Sequence, residues 1–188
     1  MNETETVPTT SREEILDRLK DKQALSGADF SGLDMSQIKL TGLAMPGASF
    51  RATNLSQAVI AGIDLAGADF AGADLSGALL AGANLQGANL QGCHLPGAKI
   101  NGTNLQDANL AAADLSQTTW MAVNVSGVDF TGATTTGARS SAVAWSAAKV
   151  PPAETPAAIR PPAWVLGLAA GLAAVVVVLL LRRRRPSA

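Results

Sequence analysis

Residues 68–92 read ADFAG, ADLSG, ALLAG, ANLQG and ANLQG, five pentads with one internal order. A small residue comes first, then a residue that is mostly polar, then a large apolar one, then two residues ending in glycine. Outward from this stretch the order persists. Every position divisible by five from Leu25 to Phe130 is apolar, and the residue two places earlier is small or aliphatic at most steps, as at Ala28, Leu33, Ala58 and Cys93. Of the 18 glycines, 16 lie two places after such a position, from Gly27 to Gly137, so the last residue of the pentad marks a corner. A period of five fits neither the 3.6 of a helix nor the 2 of a continuous strand. It fits a chain that runs in, out and in again over three residues and then bends, glycine tolerating the backbone angles of a tight turn.

A second period fixes the number of sides. All four phenylalanines, Phe30, Phe50, Phe70 and Phe130, share one register modulo twenty, and Leu90 and Leu110 fill its two remaining slots. Twenty residues per coil give four sides of five. Like then stacks on like, and a second internal column reads Leu40, Ile60, Leu80, Ile100, Trp120. The pentads ADLSG (73–77), ANLQG (83–87) and ANLQG (88–92) resemble the pentapeptide-repeat family, whose motif is A(D/N)LXX. That resemblance implies an all-β fold, a right-handed quadrilateral β-helix, over residues 23–147. Its six or so coils, at a strand spacing near 4.8 Å, predict a rod roughly 30 Å long. Trp145, still in phase, is expected to cap its C-terminal end.

The composition excludes much chemistry. One cysteine and one histidine, Cys93 and His94, provide no disulfide framework, no metal cage and no nucleophile–base relay. The expectation is a protein that is not an enzyme, with no cofactor, no metal and no catalytic residue. Cys93 stands at a small-residue position and reads as a buried substitute for alanine; His94 reads as an outward residue between Asp74 and Asp114 in the coils on either side. A net charge of −1, no tyrosine and scattered cations argue against a nucleic-acid partner. Some members of the family resemble B-form DNA and protect type II topoisomerases from inhibitors. Here the repeat region holds eight Asp against four Lys+Arg, a weak polyanion, so this DNA-mimic role is the alternative rather than the first reading.

Sorting outward residues by coil position separates four faces. Three are Asp/Asn columns: Asp29, Ser49, Asp69, Asn89, Asn109, Asp129; then Asp34, Asn54, Asp74, His94, Asp114; then Ala44, Asp64, Asn84, Asn104, Asn124. Such side chains are expected to bond the corner backbone and to stack along the axis. The fourth differs. It reads Lys39, Val59, Leu79, Lys99, Thr119, with Thr41, Ala61, Ala81, Asn101 and Met121 beside them. Val59, Ala61, Leu79, Ala81 and Met121 are the candidate interaction face, for an unknown protein partner or a second copy.

Outside the repeats the composition changes. Residues 1–22 form a polar leader, with no export signal in Met1–Thr10, and a short capping α-helix: Ser11-Arg12-Glu13-Glu14 is a capping box, and Ile15, Leu16 and Leu19 share a face. Residues 148–162, rich in proline, read as a stiff linker. Residues 163–181 carry no charge over about 28 Å of helix and read as a transmembrane helix, a single C-terminal membrane anchor with Trp164 at its interface. Gly167 and Gly171 form a GxxxG motif that would let two spans dimerise. Residues 182–188 are a basic tail. Arg182 to Arg185 favour a cytoplasmic tail by the positive-inside rule, whereas the missing export signal favours a cytoplasmic repeat domain; the second is the expectation carried forward.

Overall fold

The computed structural model describes Leu19 and residues 25–159. Side chains at every fifth position from Leu25 to Phe130 are buried, together with Ala, Val, Ile, Thr or Cys two places before nearly all of them. The corners follow from backbone geometry. From Gly27 to Ala142 every fifth residue has positive φ: sixteen glycines and eight others, among them Gln37, Ala52, Asp107 and Ala112. Three of the four corners in each coil close with a hydrogen bond across the turn, as from Ala68 N to Leu65 O (3.0 Å), Ala73 N to Phe70 O (2.9 Å) and Ala78 N to Leu75 O (3.0 Å). On the fourth side three residues stay extended and form a strand. These are β1 (Lys39–Thr41), β2 (Val59–Ala61), β3 (Leu79–Ala81), β4 (Lys99–Asn101), β5 (Thr119–Met121) and β6 (Arg139–Ser141), with β7 (Ala157–Ala158) closing a parallel sheet in sequence order.

Twenty residues separate paired positions through β6. Val59 lies beside Leu79 and Ile60 beside Leu80, while single bridges such as Asp69 to Asn89 and Asp74 to His94 tie the other sides. The result is a parallel β-solenoid of about six turns. Successive coils exchange backbone bonds, for example Phe50 N to Asp69 O (2.6 Å) and Asp69 N to Ala48 O (2.9 Å), so the polar backbone is satisfied around an apolar interior. The phenylalanine column stands as expected: Phe30 stacks on Phe50 at 5.1 Å between ring centroids and Phe50 on Phe70 at 4.8 Å.

A residue other than glycine pays for the corner conformation by crowding its Cβ against the carbonyl. Ala112 (φ +57°) is therefore strained where Gly82 (φ +60°) is not. Ala112→Gly should raise stability by about 1 kcal/mol and Gly82→Ala should lower it by a similar amount, read from urea unfolding curves.

The repeat does not end at Ala147. The Pro-rich stretch read as a linker from residue 148 is, as far as Ala158, a further coil of the solenoid, the last among the described residues. Val150 bridges Asp129, and β7 pairs with β6, Arg139 beside Ala157. Pro152 and Pro156 are buried. The Thr135 hydroxyl donates to the Glu154 carbonyl, and Ser140 Oγ to Pro156 O at 3.2 Å. Extended proline backbone is compatible with this because a final coil needs neighbours on one side only. Trp145, half-buried in a short 3-10 helix (Trp145–Ala147), meets Trp120 and Phe130 edge-on at 5.3 and 5.7 Å and donates from Nε1 to Ser140 Oγ. It seals the upper core from beneath the last coil rather than ending the rod.

Leu19 is buried and grouped with the core. The rest of the leader and its expected helix, the transmembrane helix over 163–181 with Gly167 and Gly171, and the basic tail lie outside the described residues. Among the described residues, no helix is long and apolar enough to cross a membrane.

Candidate interaction faces

Each Asp/Asn column is built twice over. Within a coil the side-chain oxygen accepts the N–H two residues on, as Ser31 N to Asp29 Oδ1 (2.9 Å) and Ala71 N to Asp69 Oδ1 (3.0 Å), an Asx turn that steadies the corner. Between coils the amide donates backward along the axis. Asn124 Nδ2 reaches Asn104 Oδ1 (2.9 Å), Asn104 reaches Asn84 (3.0 Å) and Asn84 reaches Asp64 (2.9 Å); on the neighbouring face Asn109 reaches Asn89 and Asn89 reaches Asp69. A carboxylate only accepts, so it can stand at the receiving end of an amide run but cannot continue it. This order explains why aspartate lies on the N-terminal side of each run.

Several carboxylates are held ionised by these bonds. Ser31, through its hydroxyl and its N–H, keeps Asp29 below the ordinary 3.8, and Thr131 does the same for Asp129. For Asp69 burial pushes upward, but Arg51 at 2.7 Å and the bonds from Ala71 and Asn89 outweigh it, and the net shift is downward. A carboxyl whose pKa is lowered by folding stabilises the fold above its unfolded pKa and loses that contribution as pH falls through the folded one. The thermal midpoint should therefore hold from neutral pH to about 5 and decline steadily below 3.8, read by circular dichroism across an acid series.

Inside the wall, Cys93 is buried and its Sγ donates to Phe70 O at 2.8 Å; Thr53 and Thr103 make the same bond to Phe30 O (2.8 Å) and Leu80 O (3.3 Å). Burial pushes the Cys93 thiol up to about 12, so it stays protonated and unreactive. His94 is exposed, bridged by backbone to Asp74 and Asp114. No group of residues suited to a metal ion occurs among the described residues.

The structure brings the residues of the fourth face together. Val59 and Leu79 are adjacent across β2 and β3, as are Ala61 and Ala81, and all four are half-buried. Met121, two strands further on β5, is 47% exposed. Around them lie Lys39, Lys99, Thr119 and Arg139, and none of the outward residues of β1 to β6 is acidic. The basic, partly aliphatic character of this one sheet contrasts with the carboxylate–amide surface of the other three sides. Arg139 belongs to it and was missed when the column was read as far as Thr119, although the twenty-residue step already placed it there.

A family model described as pentapeptide repeats matches residues 48–86 and 78–117, in eight copies. Among solved structures, a pentapeptide repeat protein from the cyanobacterium Cyanothece 51142 is 23% identical over 72% of this chain and 99% of that one, with a TM-score of 0.44. Full-length QnrB1, a plasmid-mediated fluoroquinolone resistance protein, is 21% identical over 69% of this chain and 75% of its own, with a TM-score of 0.31. A pentapeptide repeat protein from the thylakoid lumen of Arabidopsis thaliana is 30% identical over 63% of this chain and 68% of that one, with a TM-score of 0.27. No curated protein matches the chain. Residues 48–117 are thus similar to pentapeptide repeats, and coils of the same period continue from them on both sides.

Proposed function

We propose that this chain is a non-enzymatic, membrane-anchored scaffold whose β-solenoid presents a regular surface for protein–protein interaction or self-assembly. The observation that carries the surface is the sheet of β1 to β6. It alone combines aliphatic side chains in register with cations and no carboxylate, and a set of half-buried apolar residues framed by charge suits a partner-binding surface. The anchor rests on the uncharged run 163–181 and the four arginines that follow it, with the repeat domain on the cytoplasmic side. Affinity capture from detergent tests the proposal. Leu79→Asp should abolish recovery of the partner, or of tagged copies of the chain itself, while leaving the circular dichroism spectrum unchanged. Equal recovery removes this face as the binding surface.

The DNA-mimic alternative draws on the carboxylates of the other three faces. Against it, those carboxylates alternate with neutral amides, and the fourth face is cationic. A gyrase supercoiling assay with the chain added separates the two: no protection and no inhibition eliminates the mimic.

A further inference from the structure

We infer that the partner of the cationic sheet is the opposite face of a second copy of this chain, stacked antiparallel. The inference deepens the self-assembly reading and rests on it. Opposite sides of a four-sided coil are ten residues apart, so the side facing away from Lys39, Val59, Leu79, Lys99, Thr119 and Arg139 carries Asp29, Ser49, Asp69, Asn89, Asn109 and Asp129. Read from the N-terminal end, the acidic column is charged at its first, third and last places. Read from the C-terminal end, the cationic column is charged at those same places.

Laying one on the other antiparallel therefore sets Arg139 opposite Asp29, Lys99 opposite Asp69 and Lys39 opposite Asp129. Thr119 meets Ser49. Geometry agrees with charge, because turning one of two face-to-face rods end over end brings the column before the large residues onto its counterpart, whereas parallel rods set it against the corner column. A shift of one coil either way loses all three pairs, and one of those shifts sets Lys39 against Val150 in place of Asp129. The face with Asp34, Asp74 and Asp114 is excluded in the same register because Asp114 would fall on Val59.

The uncharged places match as well. Val59 and Leu79 come to rest on Asn109 and Asn89, whose amides are already bonded along their own column, to Asn89 Oδ1 and Asp69 Oδ1. Each amide thus has one of its two N–H groups already satisfied, so covering it with an aliphatic group leaves one N–H per amide to point past the contact to water. In the neighbouring column Ala61 lies on Ala111, small on small, and the exposed Met121 falls against Arg51, whose stem can cover it. Arg51 also holds Asp69, but that carboxylate has used three of its roughly four acceptor sites, on Arg51, Ala71 and Asn89, and keeps one for Lys99. Because the two faces lie on opposite sides, each copy can receive a neighbour on both, and the contact propagates into a row of alternating rods. A face about 30 Å long and one short strand wide is small for a stable complex, so association is weak and responds to salt and concentration.

The test uses the full chain in detergent and a disulfide that only this register allows. Cys93 is buried, so cysteines introduced by Ser49→Cys and Thr119→Cys are the accessible thiols. Under mild oxidation the doubly substituted chain should form a ladder of disulfide-linked multimers at low salt. The ladder should be lost at about 1 M salt, where the Debye length is near 3 Å, and lost on adding Lys39→Glu, Lys99→Glu and Arg139→Glu, all at exposed positions. Mixing that triple variant with a chain carrying Asp29→Lys, Asp69→Lys and Asp129→Lys should restore cross-linking between the two; if the second chain melts early through lost Asx turns, the salt and triple-variant arms decide. A ladder indifferent to the three glutamates, or self-association without any ladder, overturns the face assignment while self-assembly survives. A chain that stays monomeric at every concentration overturns the inference and self-assembly together, and leaves the capture of a different protein through Leu79 as a separate result.

Discussion

Phe50→Ala should lower the unfolding free energy by about 3–5 kcal/mol, the range for removing a fully buried aromatic ring from a core that cannot close over the void. The ring is clamped between Phe30 at 5.1 Å and Phe70 at 4.8 Å, and the coils that hold those neighbours are pinned to one another by backbone bonds such as Phe50 N to Asp69 O. The wall cannot contract locally without breaking them. Phe50→Leu should lose much less, about 1–1.5 kcal/mol, because leucine already occupies the same column at Leu90 and Leu110. Urea titration followed by circular dichroism reads both, and equal losses for the two variants would contradict the stacked column as the source of stability.

Trp120→Ala should have a comparable effect, again about 3–5 kcal/mol, by a partly different route. Trp120 is the largest fully buried side chain, and it meets Phe130 and Trp145 edge-on at 6.2 and 5.3 Å while its Nε1 donates to Thr118 Oγ1 at 2.8 Å. Truncation empties the junction between three aromatic rings and takes a donor from a buried hydroxyl. In a solenoid each coil leans only on its neighbours, so the damage should stay regional. Amide exchange should quicken first around Phe130 and Ser140, with the coils holding Phe50 and Phe70 keeping their protection. Uniform acceleration along the chain would mean that the coils are not energetically separable.

The parts of this fold that could be read from residues alone are those where burial repeats. Leu, Phe, Met or Ile at each fifth place announces an inward side chain whatever lies between, and the twenty-residue return of phenylalanine gives the number of sides. The outer faces follow by counting, which is why Val59, Leu79 and Met121 fall on one surface from the sequence period alone. The closing coil was not legible because it abandons the count. The step from Asp129 to its partner Val150 is twenty-one residues and that from Arg139 to Ala157 is eighteen, so prolines replace the usual core residues out of phase and their composition resembles a spacer. A physical signal was nonetheless present. Thr135 and Ser140 sit at inward positions, and buried hydroxyls need partners. Those partners, the carbonyls of Glu154 and Pro156, require a further layer of chain above them. The Asx bonds were anticipated from residue type; the backward direction of the amide runs was not, since it depends on which neighbour can donate.

The proline-built last coil also bears on how long such a rod can become. A stack of parallel coils is in principle endless, since its last layer offers donors and acceptors to any extended segment that arrives, from the same molecule or another. Pro151, Pro152 and Pro156 have no N–H to offer, and Val150 and Ala157 are already committed inward to Val128 and Ala138. Among the described residues, the outermost coil is thus a poor template for another, and addition of a further strand at that edge is discouraged by the same residues that finish the core.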